Sequence, residues 1–387
     1  MKKESQFLWG MIFLGVALRT PFTTIPTVLG DIAQTFHVET ASLGVLTSIP
    51  LIMFAVFSSL APKFGEKFGL EVLFAGALLL MTGGSLLRIL GLPMLYLGTL
   101  IIGICIAILN VLLPSLIQAN EPRKIGYYTT VYTSSMGVST ALAAAVAVPI
   151  SQVSGWQGLV VFLTGLLLLA FVVWLPNTRD NHLLAKRQTG GKGQSLMTNK
   201  GVWALTIFGG LQSLLFYTGM TWLPTMAQEQ GLSASQAGLL ASLYTLIGLP
   251  FSMTVPGLTS RWNAKKRSLL VLFATGSGLL GLALLFFPSA SFMHWFWIFL
   301  LMGMATATLF PYLLILFSLK TSRVEDTARL SGFAQTGGYL LAAFGPTLFG
   351  TIASMSGSWT LGLILLVLLT ALMGAMALYV EKLDKIL

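Results

Sequence analysis

An arginine inside an apolar segment is the residue of this sequence best suited to chemistry. Arg19 interrupts the run Leu14–Pro26, which otherwise reads as a membrane-spanning helix. An arginine at the bilayer centre costs about 2.5–3.5 kcal/mol or more, so it persists where it faces a wet cavity or a partner. A guanidinium donates two hydrogen bonds to a planar anion, which lysine cannot reproduce. Arg19 is therefore a candidate for contact with an anionic solute. The alternative is an arginine that caps nearby carbonyl groups or pairs with a carboxylate.

Pairing with a carboxylate is disfavoured because all acidic residues map to loops or to the ends of apolar segments. They are Glu4, Asp31, Glu39, Glu66, Glu71, Glu121, Asp180, Glu229, Glu325, Asp326, Glu381 and Asp384. His37, His182 and His294 also lie near segment ends and are too scattered to chelate a metal. Without an intramembrane carboxylate or histidine, the usual proton relay is not expected. The single cysteine, Cys105, excludes a disulfide or CxxC site, so we expect no metal and no cofactor.

Composition indicates an all-α polytopic membrane protein. Of 387 residues, 55% are hydrophobic and only 9% are charged, and the mean hydropathy is +0.85, whereas about a quarter of the residues of a soluble domain are charged. Apolar stretches of roughly 20 residues suit membrane-spanning helices, and no stretch alternates like a barrel strand. The net charge of +10 comes from basic residues in short loops rather than from one basic face, which argues against a nucleic-acid partner.

The apolar runs between glycine, proline and charged residues predict twelve transmembrane helices in two pseudo-symmetric six-helix bundles. We number them spans 1 to 12: 7–30, 41–61, 72–90, 94–118, 127–150, 157–176, 201–227, 236–257, 268–288, 295–319, 330–353 and 359–380. The predicted domains are an N-terminal bundle at 1–176, a cytoplasmic linker at 177–200 and a C-terminal bundle at 201–387. Gly190–Gly193 in the linker lacks the spacing of a phosphate loop, and no nucleophile, base and acid set appears, so an enzyme is not expected.

The positive-inside rule predicts the orientation. With both termini in the cytoplasm, all of the 22 basic residues except Arg19 and Arg88 fall in cytoplasmic segments. Arg88 lies near the outer end of span 3, where its side chain is expected to reach the membrane interface. The N-terminus runs into a full-length span without a small-residue cleavage site, so it is interpreted as a first helix rather than a signal peptide.

The two halves of the chain echo each other, as in transporters built from duplicated bundles. The landmarks are Pro26–Thr27 and Gly44–Ser48 in the first half, and Pro224–Thr225 and Gly238–Ser242 in the second. Gly103 in span 4 precedes Asn110 by the same interval as Gly303 in span 10 precedes Phe310. Counting back equally from the two prolines pairs Arg19 with Tyr217.

Pro62–Glu71, the loop after span 2, resembles a degenerate form of the cytoplasmic loop motif of the major facilitator superfamily. Glu66, Lys67 and Gly69 stand at its acidic, basic and glycine positions. The resemblance assigns these residues to a cytoplasmic gate, where charged loop residues clasp a neighbouring helix end in one conformation only. A solvated loop pair is the alternative.

Further stretches are similar to the cyanate/nitroimidazole-type permeases of bacteria. They are Leu18–Pro21, Gly103–Pro114, Gly210–Tyr217, Thr221–Pro224, Phe310–Pro311 and Arg329–Gln335. The resemblance covers nearly the whole chain and implies a secondary transporter of the bacterial cytoplasmic membrane that works by alternating access. It does not carry the substrate with it.

Polar residues on helices that line the central cavity in the resembled superfamily complete the predicted substrate site. Arg19 is joined by Asn110, Tyr132, Gln212, Tyr217, Phe310 and Gln335. Hydrogen bonds between helices would satisfy these polar groups equally well, and Phe310 is equally a core aromatic. The main hypothesis is a monomeric transporter in the lipid bilayer, with or without a coupling ion, whose small anionic solute is held at the bundle interface by Arg19. The alternatives are efflux of neutral heteroaromatic or drug compounds, and a non-transporting membrane sensor.

Overall fold

The computed structural model describes residues 2–38, 43, 45–185 and 196–387. These residues form fourteen α-helices joined by short turns, and they contain no β-strand. The predicted all-α fold class is confirmed. Glu39, Gly44 and Gly190–Gly193 lie outside the described residues.

Seven helices belong to the first half of the chain: α1 Lys2–Thr23, α2 Leu29–Phe36, α3 Val45–Phe57, α4 Ala61–Phe68, α5 Leu70–Leu87, α6 Leu92–Asn120 and α7 Ile125–Trp174. A 3-10 turn, Ile25–Val28, joins α1 to α2, and another, Leu175–Asp180, follows α7. The helix α7 covers predicted spans 5 and 6. Its backbone leaves the helical region at Gly155, with φ of 71°, inside the interval where the sequence predicts a break.

Seven helices belong to the second half: α8 Lys200–Glu229, α9 Ala234–Leu246, α10 Gly248–Arg261, α11 Ala264–Leu284, α12 Phe292–Leu319, α13 Val324–Ser356 and α14 Thr360–Lys382. Predicted span 8 is made of α9 and α10 together. Asn199 caps α8 through its side chain, which accepts hydrogen bonds from the backbone of Gly201 and Val202. Ser233 and Gln236 form a capping box at the start of α9.

In the described part of the chain, nine helical segments are long and apolar enough to cross a membrane. They correspond to predicted spans 3, 4 and 6 to 12. The remaining spans correspond to α1, α3 and the first part of α7.

The chain divides into two compact units. Unit 1 holds α1 to α7 together with Arg323–Gly332, which includes the start of α13, and unit 2 holds the rest of the second half. Within unit 1, α1 packs along α7, and α6 packs against both α3 and α5. Within unit 2, α12 packs against α10 and α11, and α14 packs against α8 and α11.

Glycines in α6 and α12 permit corresponding helix contacts in the two units. A Cβ atom on Gly103 of α6 would lie 3.0 Å from the Cα atom of Pro50 in α3. A Cβ atom on Gly303 of α12 would lie 2.7 Å from a side-chain carbon of Ile247, between α9 and α10. The repeated glycines of spans 4 and 10 therefore make equivalent contacts. The glycine of span 4 packs on span 2, and the glycine of span 10 packs on span 8.

The loop expected after span 2 is largely helical. Ala61–Phe68 forms α4, and Pro62 stands in its first turn, where proline is tolerated because the N–H that it lacks has no partner in a helix. Gly69 ends the helix with φ of 79° and ψ of 162°, a conformation that is open essentially to glycine alone. Seven of the motif's residues, Pro62–Phe68, therefore lie on a short helix, which a pattern of charged residues and glycines did not reveal.

Arg88 does not reach the membrane interface, and that prediction is wrong. Its side chain is 1% exposed, and its Nη1 atom donates a hydrogen bond of 2.8 Å to the carbonyl oxygen of Pro21 in α1. The carbonyl oxygen of Pro21, near the end of α1, binds the Arg88 guanidinium more strongly than the membrane interface would. The reason is that a hydrogen bond from a charged donor to a buried acceptor is one of the stronger kinds.

Candidate functional site

Arg19 is half-buried on α1, one turn beyond a close contact with α7. A Cβ atom on Gly15 would lie 2.7 Å from the carbonyl oxygen of Tyr132, so the absence of a side chain at Gly15 lets the two helices approach. The helix ends shortly after Arg19. Pro21 has no N–H to donate to the preceding turn, and Thr23 donates its hydroxyl to the carbonyl oxygen of Arg19 at 3.0 Å. Arg19 therefore lies near a helix end at which side chains supply part of the hydrogen bonds to the backbone carbonyl groups.

The other two candidates of unit 1 lie on helices that contact α1. Asn110 is half-buried on α6, and Tyr132 is buried on α7. The three helices α1, α6 and α7 contact one another pairwise. Unit 1 thus carries its three predicted site residues on neighbouring helices.

A small pocket lies between α8, α12 and α13 in unit 2. Phe310 and Gln335, both predicted site residues, line it together with Ser213 and Tyr339, and the remaining lining residues are leucine, glycine, alanine and phenylalanine. Ser213 and Tyr339 were missed from sequence. Tyr339 follows Gln335 by one helical turn, so i,i+4 spacing on α13 could have indicated it.

Gln212 and Tyr217 do not line this pocket. Gln212 is buried and turns toward α12, where its Nε2 atom donates to the carbonyl oxygen of Thr306 at 3.1 Å. Its Oε1 atom accepts a hydrogen bond of 3.3 Å from Ser213. Gln212 thus joins two helices and borders the pocket only through Ser213. Tyr217 is half-buried, and its ring lies edge-on to that of Phe216.

The three predicted gate residues lie at the end of α4. Glu66 is half-buried, and Lys67 is exposed with its Nζ atom 5.1 Å from the ring centroid of Phe68. Gly69 is covered by Asn181, whose side chain donates to the carbonyl oxygen of Phe68 at 2.9 Å and accepts from the backbone of Val72 at 3.2 Å. Residues 181–185, expected to be part of a linker, are therefore bound to the junction of α4 and α5.

The first residues of α13 meet the same region of unit 1. A Cβ atom on Gly332 would lie 2.7 Å from the carbonyl oxygen of Ser58, just before α4. Glu325 accepts a hydrogen bond of 3.2 Å from the backbone of Ala185. The start of α13 thus contacts both the segment before α4 and the residues that cover Gly69.

Glu71 is a buried carboxylate that sequence analysis placed only at a span end. It begins α5, and its Oε2 atom accepts from the backbone of His182 at 2.6 Å. Its Oε1 atom accepts from Asn120 at 2.7 Å and lies 2.7 Å from Nδ1 of His182. The indole of Trp174 donates to the Glu71 carbonyl oxygen at 2.9 Å. One residue thus joins α5, the end of α6, the end of α7 and the following segment.

Glu381 has a corresponding role in unit 2. Its buried carboxylate, at the end of α14, accepts from Nε of Arg267 at 2.9 Å and from the hydroxyl of Tyr312 at 2.5 Å. Nζ of Lys320 lies 3.8 Å away. Burial lowers the pKa of Lys320, and the charge of Glu381 opposes this shift in part.

Among the described residues, no group of three or more histidine, cysteine, aspartate or glutamate side chains is placed to hold a metal ion. Unit 1 contains a half-buried arginine on α1, unit 2 contains a pocket with few polar groups, and both units are built from long apolar helices. These features define a polytopic helical membrane protein of the transporter class.

Comparison with known proteins agrees. The sequence profile of the Major Facilitator Superfamily matches residues 11–346 and 223–385. The chain belongs to the major facilitator superfamily and is a membrane transporter rather than an enzyme. It is 35% identical to a Bacillus subtilis protein named uncharacterized transporter YycB, covering 96% of this chain and 93% of that protein. It is 33% identical to the 2-nitroimidazole transporter of Escherichia coli, covering 97% and 96%, and 21% identical to the cyanate transport protein CynX of Escherichia coli, covering 90% of each.

Solved structures show the same fold. The fucose:proton symporter FucP of E. coli has a TM-score of 0.74 at 15% identity, covering 96% of this chain and 98% of that one. The proton:xylose symporter XylE has a TM-score of 0.77 at 14% identity, covering 99% and 95%. The predicted architecture of twelve helices in two bundles is confirmed.

Proposed function

We propose that this protein is a secondary transporter that moves a small anionic solute across the cytoplasmic membrane by alternating access, and that Arg19 holds the anion. The observation that carries the proposal is a half-buried arginine in the last two turns of α1, within predicted span 1. About 18 Å of helix rise separates Phe7 from Arg19, at about 1.5 Å per residue. A span that enters the hydrocarbon near Phe7 therefore holds this guanidinium well inside a core about 30 Å thick.

The chemistry of the guanidinium suits a planar anion. Its donors form a rigid fork that matches two oxygens of one carboxylate or similar group. In a region of low dielectric such a charge-assisted pair is stronger than in water. Arg19 thus attracts and orients the solute, while Asn110, Tyr132, Gln335 and Tyr217 offer uncharged hydrogen bonds and Phe310 offers an aromatic wall. In this proposal Gln212 contributes through Ser213, and the pairing of Arg19 with Tyr217 stays a prediction.

A second candidate is transport of a small neutral heteroaromatic compound. The 33% identical relative named a 2-nitroimidazole transporter favours it. Nitro oxygens accept hydrogen bonds in the same planar geometry as carboxylate oxygens, so Arg19 would serve the same purpose. The apolar and aromatic lining of the unit 2 pocket suits a ring.

We also propose a monomer in a bacterial cytoplasmic membrane with both termini inside, in accord with the distribution of basic residues. Glu66, Lys67 and Gly69 form part of the cytoplasmic gate, because they adjoin the residues that contact the first turns of α13. Transport does not pass protons along a chain of protein carboxylates, since the acidic residues lie at helix ends or in loops. Uphill accumulation of a non-titrating solute driven by a pH gradient would contradict this last point.

The test uses purified protein in proteoliposomes, with cyanate, benzoate, 2-nitroimidazole and imidazole as probes. Arg19→Ala should weaken binding of the accepted probe by about tenfold or more, and Arg19→Lys should restore only part of the affinity, because one point charge replaces a two-pronged donor. Arg123→Ala, an exposed arginine after α6, is the matched control. Flux of cyanate and benzoate alone supports the first candidate, and flux of 2-nitroimidazole but not imidazole supports the second. Unchanged affinity in both Arg19 variants would overturn the site.

A further inference from the structure

Arg88 is a buried arginine to which the proposed transport cycle assigns no role. It lies at the end of α5, and its Nη1 atom donates to the carbonyl oxygen of Pro21 at 2.8 Å. Its Nε atom is buried and has no hydrogen-bond partner among the described residues. The hydrogen bond to Pro21, at the end of α1, is therefore the main interaction that offsets the free-energy cost of burying the Arg88 charge.

Pro21 needs such a donor because of where it stands. The last carbonyl groups of a helix have no N–H partner within the helix, and Pro21 lies in the last turn of α1. Threonine hydroxyls serve neighbouring carbonyls: Thr23 donates to Arg19, and Thr24 donates to Thr20 at 2.6 Å. Arg88 serves the next carbonyl in the series and is the cap that comes from another helix. A positive charge at a helix C-terminus is also favourable to the helix dipole.

The neighbouring helix leaves room for this contact. A Cβ atom on Gly98 of α6 would lie 3.0 Å from Cγ of Arg88, so the arginine stem lies directly on the glycine. Apart from this bond, α1 packs chiefly along α7 and α5 packs on α6 and α7. The bond from Arg88 to Pro21 therefore ties the end of α1 to a helix that is otherwise not its main neighbour.

We propose that Arg88 is a positioning residue for Arg19. It holds the carbonyl two residues beyond Arg19, and thereby fixes the height and rotation of the helix turn that carries the Arg19 side chain. The proposal rests on the proposed function, in which Arg19 binds the solute. Errors of about 1 Å in the placement of a binding or reacting group cost up to about 10²-fold, so the loss of one cap is enough to matter.

The first experiment compares Arg88→Met, Arg88→Gln and Arg88→Lys by binding and by the KM and maximal rate of uptake, with whichever of cyanate or 2-nitroimidazole the wild type accepts. Arg88→Met removes the donor and should raise Kd and KM about tenfold or more, with a smaller effect on the maximal rate. Arg88→Lys keeps a donor and should restore most of the affinity. The control is Thr82→Val in α5, because within the described part of the chain the buried Thr82 hydroxyl bonds only to Leu78 of its own helix.

The second experiment needs no solute. Cys105 is the only cysteine of the chain, so Cys105→Ala together with Arg19→Cys leaves one thiol at the site. Its rate of modification by a methanethiosulfonate reagent should change severalfold with Arg88→Met and stay near the starting value with Arg88→Lys or Thr82→Val. A residue that merely stabilised the fold would lower the melting temperature without moving this rate relative to Thr82→Val.

The outcomes separate the two proposals. Unchanged affinity in Arg19→Ala overturns the proposed function, whereas the thiol rate still reports on Arg88. If Arg19→Ala loses affinity but Arg88→Met changes neither affinity nor thiol rate, the positioning role is wrong. If Arg88→Gln weakens cyanate alone and leaves the thiol rate unchanged, Arg88 acts by charge and the positioning role is again wrong. If Arg88→Met does not fold, Arg88→Gln and Arg88→Lys supply the same comparison.

Discussion

The ring Nδ1 atom of His182 lies 2.7 Å from the buried Oε1 atom of Glu71, and the backbone of His182 donates to Oε2 of the same carboxylate at 2.6 Å. The backbone of Leu70 in turn donates to the carbonyl oxygen of His182 at 2.9 Å. The segment after α7 is thus bound to the start of α5 through both main chain and side chain. This contact lies directly beside Gly69 of the proposed gate.

The Glu71→Gln variant should have a lower melting temperature. An amide replaces one carboxylate oxygen, so one of the donors on Asn120 and His182 loses its acceptor, and hydrogen bonds to a charged group are worth about 1.5–3 kcal/mol. Thermal unfolding in detergent measures the effect. Glu121→Gln, a half-buried carboxyl at the end of α6, is the control and should leave the melting temperature nearly unchanged. Equal melting temperatures in the two variants would contradict the structural role of Glu71.

Gly69→Ala should destabilise the junction of α4 and α5 and slow transport. The φ of 79° strains an alanine there, and the added Cβ atom would lie 2.2 Å from the Asn181 side chain. The control is Gly76→Ala in α5, where the added Cβ meets nothing within 4 Å. Because alanine favours a helix over glycine by about 0.8–1.0 kcal/mol, Gly76→Ala should be neutral or slightly stabilising. Melting temperature and initial uptake rate are the measurements, and wild-type values in Gly69→Ala would show that the junction tolerates a side chain.

Gln335→Leu and Gln212→Leu should have different consequences. Gln335 lines the pocket of unit 2, so its loss should weaken solute binding more than it lowers the melting temperature. Gln212 joins α8 to α12 through Thr306, so its loss should lower the melting temperature more than the affinity. A net hydrogen bond is worth about 0.5–1.5 kcal/mol. Binding and thermal unfolding of both variants test this difference, and the reverse pattern would exchange the roles of the two glutamines.

Stability should rise with pH above the lowered pKa of Lys320. Burial lowers this pKa from its usual value of 10.5. Between the folded and unfolded pKa values the unfolded chain binds more protons, so the free energy of unfolding increases with pH in that window. Lys320→Met should remove this rise, which thermal unfolding at a series of pH values up to about 10 measures. Lys382→Met, an exposed lysine at the end of α14, is the control for loss of one positive charge and should keep the rise.

Local sequence was sufficient to predict the helices and the class of protein. Apolar runs of membrane-spanning length, with glycine, proline and charged residues between them, depend on neighbours along the chain alone. For that reason the break at Gly155, the division of the chain into spans and the family resemblance agree with the structure. Arg19 and Gln335 could likewise be identified as site candidates from the sequence, because polar side chains are rare within such apolar runs.

Tertiary structure decided which way the side chains point. A membrane-spanning helix is apolar on every face, so its hydrophobic pattern does not indicate which face meets another helix. Gln212 therefore turns toward Thr306, whereas Ser213 lines the pocket without a signal in the sequence and Tyr339 is indicated only by its i,i+4 spacing from Gln335. Arg88 was expected to lie at the membrane interface, but its side chain donates a hydrogen bond to the carbonyl oxygen of Pro21. Pro21 is distant from Arg88 in the sequence, and the two residues become neighbours only when α1 and α5 fold together.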